Sequence, residues 1–172
     1  MAVVNTKTSS VTLADAGTPM KKSLSGAILK ESVGTLEAVS GDSIGSTYRM
    51  CRIASNARIS RVLVSCDAIT TCAADIGIYN VASVSSGAVV DADFFGSAVS
   101  LATALSNSDI THEADAADAG AGFGNQDVEK PLWQALGLSA DPGRVYDVVV
   151  TLTAAAGSAG TVNLKVQYVD GN

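Results

Sequence analysis

The chain has 172 residues, enough for one domain with a sizeable core or for one domain plus an arm. Its net charge of −6 argues against phosphate-backbone binding, which needs clustered Lys and Arg, so no nucleic-acid partner is expected. Apolar residues make up 47% but aromatics only 5%, so a sheet core has to be filled by Val, Ile and Leu.

The first residues, Met1 to Lys7, lack the basic region and apolar run of a secretory signal. No run approaches the ~20 apolar residues of a membrane span. A soluble chain made in the cytoplasm, without a membrane partner, is expected. Residues 1–23 are rich in Thr, Ser and Ala and read as an extended arm. Val3, Val4, Val11 and Leu13 are its apolar residues, with strand propensity and no obvious place in a sandwich, and they are candidates for a subunit or partner interface. Residues 24–172 read as a single β-sandwich domain.

Gly26 to Glu31 and Thr35 to Val39 are two short strand candidates, split by Ser32-Val33-Gly34. Ser40-Gly41-Asp42-Ser43 is a turn. Tyr48 to Ile53 changes the parity of its apolar positions between Met50 and Cys51, which predicts a bulge or a strand buried on both faces. Arg58 to Cys66 reads as a central strand, with Ile59 and Leu63 on one face and Val62 and Val64 on the other. In Asp75 to Tyr79, Ile76 and Ile78 point inward and Gly77 outward. Ala88 to Asp93 is a short strand. Val99, Ala102 and Leu105 fit one helical face, so Ser97 to Leu105 reads as a short helix or a loosely packed segment.

Asn107 to Asp127 reads as a long acidic loop, functional or mobile. Glu129 to Gly137 gives one or two helical turns, with Pro131 at the start and Gly137 as the cap, and Trp133 is expected to plug the bottom of the sandwich. Asp141-Pro142-Gly143 is a turn. Tyr146, Val148, Val150 and Leu152 then occupy the even positions, with Asp147, Thr151 and Thr153 among the odd ones, and Val162, Leu164, Val166 and Tyr168 alternate with Thr161, Asn163, Lys165 and Gln167. The small residues of 154–160 suit a mobile hairpin loop. Thr153 would sit opposite Thr161, Leu152 opposite Val162, Val150 opposite Leu164, Val148 opposite Val166 and Tyr146 opposite Tyr168. The fold class is all-β: an antiparallel β-sandwich or jelly roll with an extended N-terminal arm and one or two short helices.

No constellation for catalysis stands out. His112 is the sole histidine and reads as a surface residue. Cys51, Cys66 and Cys72 have no metal-type spacing; they read as small buried thiols in a reduced compartment. Asp91-Ala92-Asp93-Phe94-Phe95-Gly96 begins like a calcium loop but has Phe95 and Ala102 where oxygen ligands are needed. No cofactor and no metal are therefore expected, and the chain does not read as an enzyme.

Three segments carry a resemblance: Gly41 to Arg49, Ala88 to Phe95, and Lys130 to Leu138 running on through Asp141-Pro142-Gly143 into the final strands. Together, over about residues 24 to 169, they resemble small virion structural proteins of tailed bacteriophages, of the head-decoration or cement kind. The resemblance implies a non-enzymatic protein, often a trimer, made in the host cytoplasm. It would be fixed to the head exterior, where its partner is the major capsid protein. A tail, adaptor or fibre component is a second reading. A carbohydrate-binding module or small hydrolase on the same sandwich is a third.

Overall fold

The computed structural model describes Thr12 and residues 15–17, 26–82, 87–117 and 122–170. Eight strands run through it: β1 (Leu29–Ala38), β2 (Thr47–Ala54), β3 (Arg58–Cys66), β4 (Ala73–Asn80), β5 (Val89–Ser100), β6 (Leu105–Asp109), β7 (Val145–Ala154) and β8 (Gly160–Val169). Two short helices, α1 (Glu113–Ala117) and α2 (Leu132–Ala135), and a 3-10 turn (Asn125–Asp127) lie between β6 and β7. The strands form two four-stranded sheets in the orders β1-β8-β3-β6 and β2-β7-β4-β5. All their pairings are antiparallel. Of strands consecutive in sequence only β4 and β5 are neighbours in a sheet; every other connection crosses between sheets. This is a β-sandwich wound as a jelly roll.

The final two strands correct the expected hairpin. β7 pairs with β2 and β4, whereas β8 pairs with β1 and β3. Val150 lies opposite Tyr48 and Ile76, not Leu164, and Val148 lies opposite Cys51 and Ile78, not Val166. Leu164 lies opposite Gly34 and Val64, and Val162 opposite Leu36 and Cys66. The Thr153–Thr161, Leu152–Val162 and Tyr146–Tyr168 pairings fail for the same reason. The inward parity holds: Tyr146, Val148, Val150, Leu152, Val162, Leu164 and Val166 are buried in one core. Tyr168 is only partly buried.

The connecting segment is an arch, not a mobile loop. Its backbone bonds run to other turns: the Gly41 amide to the Ala156 carbonyl, the Ala156 amide to the Asp42 carbonyl, and the Gly157 amide to the Thr70 carbonyl. Val150→Ala is expected to cost about 1–3 kcal/mol, from lost burial and the cavity left behind. A denaturant midpoint unchanged from that of the parent would contradict the inward placement of this residue.

β1 is one continuous strand, not two pieces split at Ser32-Val33-Gly34. Gly34 has a physical reason to be glycine, because a Cβ there would sit 2.1 Å from the Met50 carbonyl oxygen of the opposite sheet. β2 carries the expected bulge, between Arg49 and Cys51, so that Met50 and Cys51 are both buried. β3 has the expected bounds and a central place. A register shift between Ile59 and Arg61 puts Ile59 on the buried side with Val62 and Val64, while Leu63 faces outward and is half-buried.

The short helix expected over Ser97 to Leu105 is absent. β5 runs to Ser100 and β6 begins at Leu105. Ala98 takes a positive φ of 51°, with its amide on the Asp75 carboxylate at 2.8 Å. Leu101 is tied by backbone bonds to Cys72 and Ile69. The three-residue apolar spacing there arises from a kinked extended chain.

The acidic stretch is likewise ordered where it is described. It contains β6, α1 and the 3-10 turn, with Ile110, Ala114 and Phe123 buried. α2 is capped as expected, with the Gly137 and Leu138 amides bonded to the Gln134 and Trp133 carbonyls. The residue that plugs the core beneath Pro131 is Leu132, fully buried, whereas Trp133 is half-buried. Of the expected arm over 1–23 only Thr12 and residues 15–17 are described, and there the Ala16 amide donates to the Thr12 carbonyl at 3.1 Å.

Candidate functional site

Polar chemistry on the outer face of the second sheet centres on Asp147. Strand alternation aims its side chain away from the core, yet it is only 4% exposed. The Arg49 Nη1 donates to Asp147 Oδ2 at 2.9 Å and the Arg52 Nε to Oδ1 at 2.7 Å. Arg49 also donates to the carbonyls of Asn80 and Gly87, at 3.0 and 2.9 Å, and lies 5.7 Å from the Tyr79 ring. This guanidinium therefore fastens both ends of the β4–β5 connection to β2. Val149 lies between Arg49 and Gly77 and is fully buried on this same outer face.

The arrangement is a staple: Asp147 is held by both arginines, and Arg49 spends its two Nη groups on Asp147, Asn80 and Gly87. Asp147→Asn is expected to cost about 1–3 kcal/mol, mostly from donors left imperfectly paired. Both arginines are partly exposed, which screens the ion pairs themselves. Equilibrium unfolding in urea would measure the loss; a value near zero would show that water replaces the carboxylate without penalty.

His112 is more deeply engaged than a surface histidine. Its ring stacks on Phe123, with centroids 5.4 Å apart and planes at 5°, and its Nδ1 lies 2.9 Å from the Phe123 carbonyl oxygen. A carbonyl can only accept, so Nδ1 carries the proton. The ring borders an open cleft of about 490 Å³ with Ser60, Arg61, Asp109 and Glu113. Arg61 is paired with Asp109 at 3.1 Å. Burial raises the Asp109 carboxyl, but the Thr111 hydroxyl and amide and the Arg61 charge outweigh it and hold it below its usual value. Glu113 Oε2 accepts the Ser97 amide at 2.6 Å.

A second cavity, also about 490 Å³, lies at the end of the sandwich beside Ser55, Val81, Asp141 and Arg144. Its polar groups satisfy one another. The Ser55 hydroxyl and the Gly143 amide donate to Asp141 Oδ1 at 2.6 and 2.9 Å, and Arg144 Nη1 donates to Asn80 Oδ1 at 3.3 Å.

The three cysteines are free and buried. Burial pushes the Cys51 thiol up to about 11 and also raises those of Cys66 and Cys72, so none is a ready nucleophile. Asp91 and Asp93 lie on β5, not in a calcium loop. Burial, then the neighbouring Asp93, holds the Asp91 carboxyl above its usual range. Among the described residues no three His, Cys, Asp or Glu side chains stand together as a metal site. No helix among them is long and apolar enough to cross a membrane.

The interface candidates Val3, Val4, Val11 and Leu13 lie outside the described residues. The large apolar residues exposed among the described residues are spread over the surface: Ile28, Leu29, Val33 and Val39 on and beside β1, Ile44 in the turn after it, and Val89 and Val90 on β5 among them. The sequence reading broke β1 at Ser32-Val33-Gly34 and so did not place Leu29 and Val33 on one face, where they alternate with Glu31, Thr35 and Glu37.

No protein-family model and no curated protein matches the sequence. Two solved structures do. One is a chain of the "Cyanophage Pam1 capsid asymmetric unit", similar over 83% of this chain and 85% of that one, at 18% identity and a TM-score of 0.51. The two chains share a fold. The other is a chain of the "Acidic stable capsid structure of Helicobacter pylori bacteriophage KHP30", matched over 83% of this chain and 93% of that one, at 14% identity and a TM-score of 0.38.

Proposed function

We propose that this chain is a bacteriophage virion structural protein that decorates and stabilises the outer surface of the capsid by binding the major capsid protein. The observation that carries the reading is the fold shared over 83% of the chain with a chain of a phage capsid asymmetric unit. Jelly rolls also serve lectins and cupins, so the fold by itself does not choose among functions. The sequence resemblance to head-decoration proteins, which rests on separate segments, points the same way. The mutually bonded polar groups around Asp147 and at the sandwich end suit a structural part. On this reading the protein is not an enzyme and resides on the head exterior.

The test is binding to purified heads that lack the protein. It is expected to co-sediment with heads in a saturable way, not with tails, and to raise the temperature at which heads disrupt, since a ligand of the intact state stabilises that state. Saturable binding to tails, or none to heads, would overturn the reading.

A further inference from the structure

β5 leaves the regular ladder part-way along. Asp91 lies opposite Ile78 and Gly96 opposite Ile76, so five steps on β5 answer two on β4. The extra residues form a wide bulge whose backbone crosses the outer face of Gly77. Phe94 and Phe95 then turn into the core, where the Phe94 carbonyl accepts the Phe123 amide at 2.7 Å. The bulge therefore joins the surface of the second sheet to the aromatic cluster beneath it.

Asp91 and Asp93 both stand on this bulge, half-buried and within hydrogen-bonding reach of one another. Asp91 lines a cleft of about 300 Å³ whose other walls, from Val90 and Phe94 to Leu136 and Gly137, carry no charge. Among the described residues no lysine or arginine is ion-paired with either carboxyl. The elements packed against β5 bring mostly further acids. Asp75 of β4 accepts the Ala98 amide, Glu113 of α1 accepts the Ser97 amide, and Asp115 follows it. The Tyr79 hydroxyl is bonded to Thr151, and His112 is turned to the Phe123 carbonyl. Arg49, beside the start of β5, is committed to Asp147 and to the carbonyls of Asn80 and Gly87. Ionised carboxylates only accept, so two of them bond to each other only when one keeps a proton. Sharing a proton is how like charges persist side by side in a partly dry site without a counter-ion.

We propose that Asp91 and Asp93 form a proton-operated latch: with one proton shared between them the bulge closes over Gly77 and seats the aromatic cluster, and loss of that proton loosens it. The direction of the effect follows from the state of Asp91. Burial first, and Asp93 second, hold its carboxyl above the usual value. A carboxyl raised on folding binds its proton more tightly in the folded chain than in the unfolded one. Its contribution to stability is gained as pH falls through the folded-state value, is complete below the usual value of about 4, and is lost as pH rises. Asp42 and Asp109 are held below their usual values and act in the opposite sense, weakening the fold in acid. The latch is therefore read from the difference between a variant and its parent. It stands independently of the capsid reading.

The test is urea unfolding of the full chain, of Asp91→Asn and of Asp93→Asn, each at about pH 4, 6 and 8. Asparagine keeps the shape of the pair and supplies an N–H without a charge. Asp91→Asn is expected to unfold at a higher urea concentration than the parent at the highest pH, and this advantage is expected to shrink as pH falls. Asp93→Asn is expected to do the same in smaller measure, since it removes the repulsion but not the burial of Asp91, and it serves alone if Asp91→Asn does not fold. Hydrogen exchange of the Phe123 amide is expected to be slower in the variants than in the parent at the highest pH, which a merely local change at the surface would not produce. A difference in midpoint that stays constant across the three pH values overturns the proposal. So does one that grows towards acid, or Phe123 exchange that is the same in variants and parent.

Discussion

Phe95→Ala is expected to destabilise the protein by about 3–5 kcal/mol, the cost of emptying a fully buried aromatic site. All three phenylalanines of the chain meet in one cluster. Phe94 and Phe95 lie 5.0 Å apart edge to face, and each lies 5.8 Å from Phe123, which in turn carries the stacked His112 ring. Each aromatic contact also contributes about 0.5–1.5 kcal/mol beyond burial. For a chain of this size the loss corresponds to a fall in melting temperature of roughly 6–20 °C. Calorimetry would read it directly, and a fall within a degree or two would show that the cluster relaxes around the gap.

Gly77→Ala is expected to be nearly as costly for the opposite reason. Gly77 faces outward on β4, where alternation predicts solvent, but the bulged backbone of β5 lies across it. A Cβ there would stand 2.2 Å from the carbonyl oxygens of both Asp91 and Ala92. Those are backbone atoms, so relief requires moving the segment that carries Phe94 and Phe95. Overpacking of this kind typically costs 1–3 kcal/mol and occasionally more. Because the displaced strand leads into the aromatic cluster, the effects of Gly77→Ala and Phe95→Ala are expected to be less than additive. Full additivity in the double variant would mean that the bulge and the cluster yield independently.

Much of the fold was legible because burial follows side-chain parity. Val148, Val150, Leu164 and Val166 alternate and are buried; the parity break in β2 is a bulge; the bounds of β3 are as read. The partners of β7 and β8 were not legible. Two strands that pair side by side and two that face each other across a core show the same inward alternation, and a run of small residues does not say where its amides will bond. The bonds from Ala156 and Gly157 reach turns more than eighty residues away in sequence. The covered outer face of Gly77 and Val149 was hidden for a related reason, since the cover is backbone from β5 and an arginine from β2. The continuity of β1 was hidden because Gly34, a glycine that reads as a breaker, is there a point of close contact between sheets.

The winding of the sheets also constrains how the chain can fold. β8 lies between β1 and β3, so neither of those strands has its main partner until Gly160–Val169 exists. A chain growing at 5–20 residues per second would hold the completed β3 without its β8 partner for on the order of 5–20 s. Only β4 and β5 can close as a local hairpin during that interval. Sandwiches governed by such distant pairings fold in milliseconds to seconds once the whole chain is present. Nascent chains are therefore vulnerable to aggregation through β3 during synthesis. Removing the residues from Gly160 onward would take out the second strand of the sheet that contains β1, β3 and β6, leaving β1 with no strand partner in it and β3 with β6 alone.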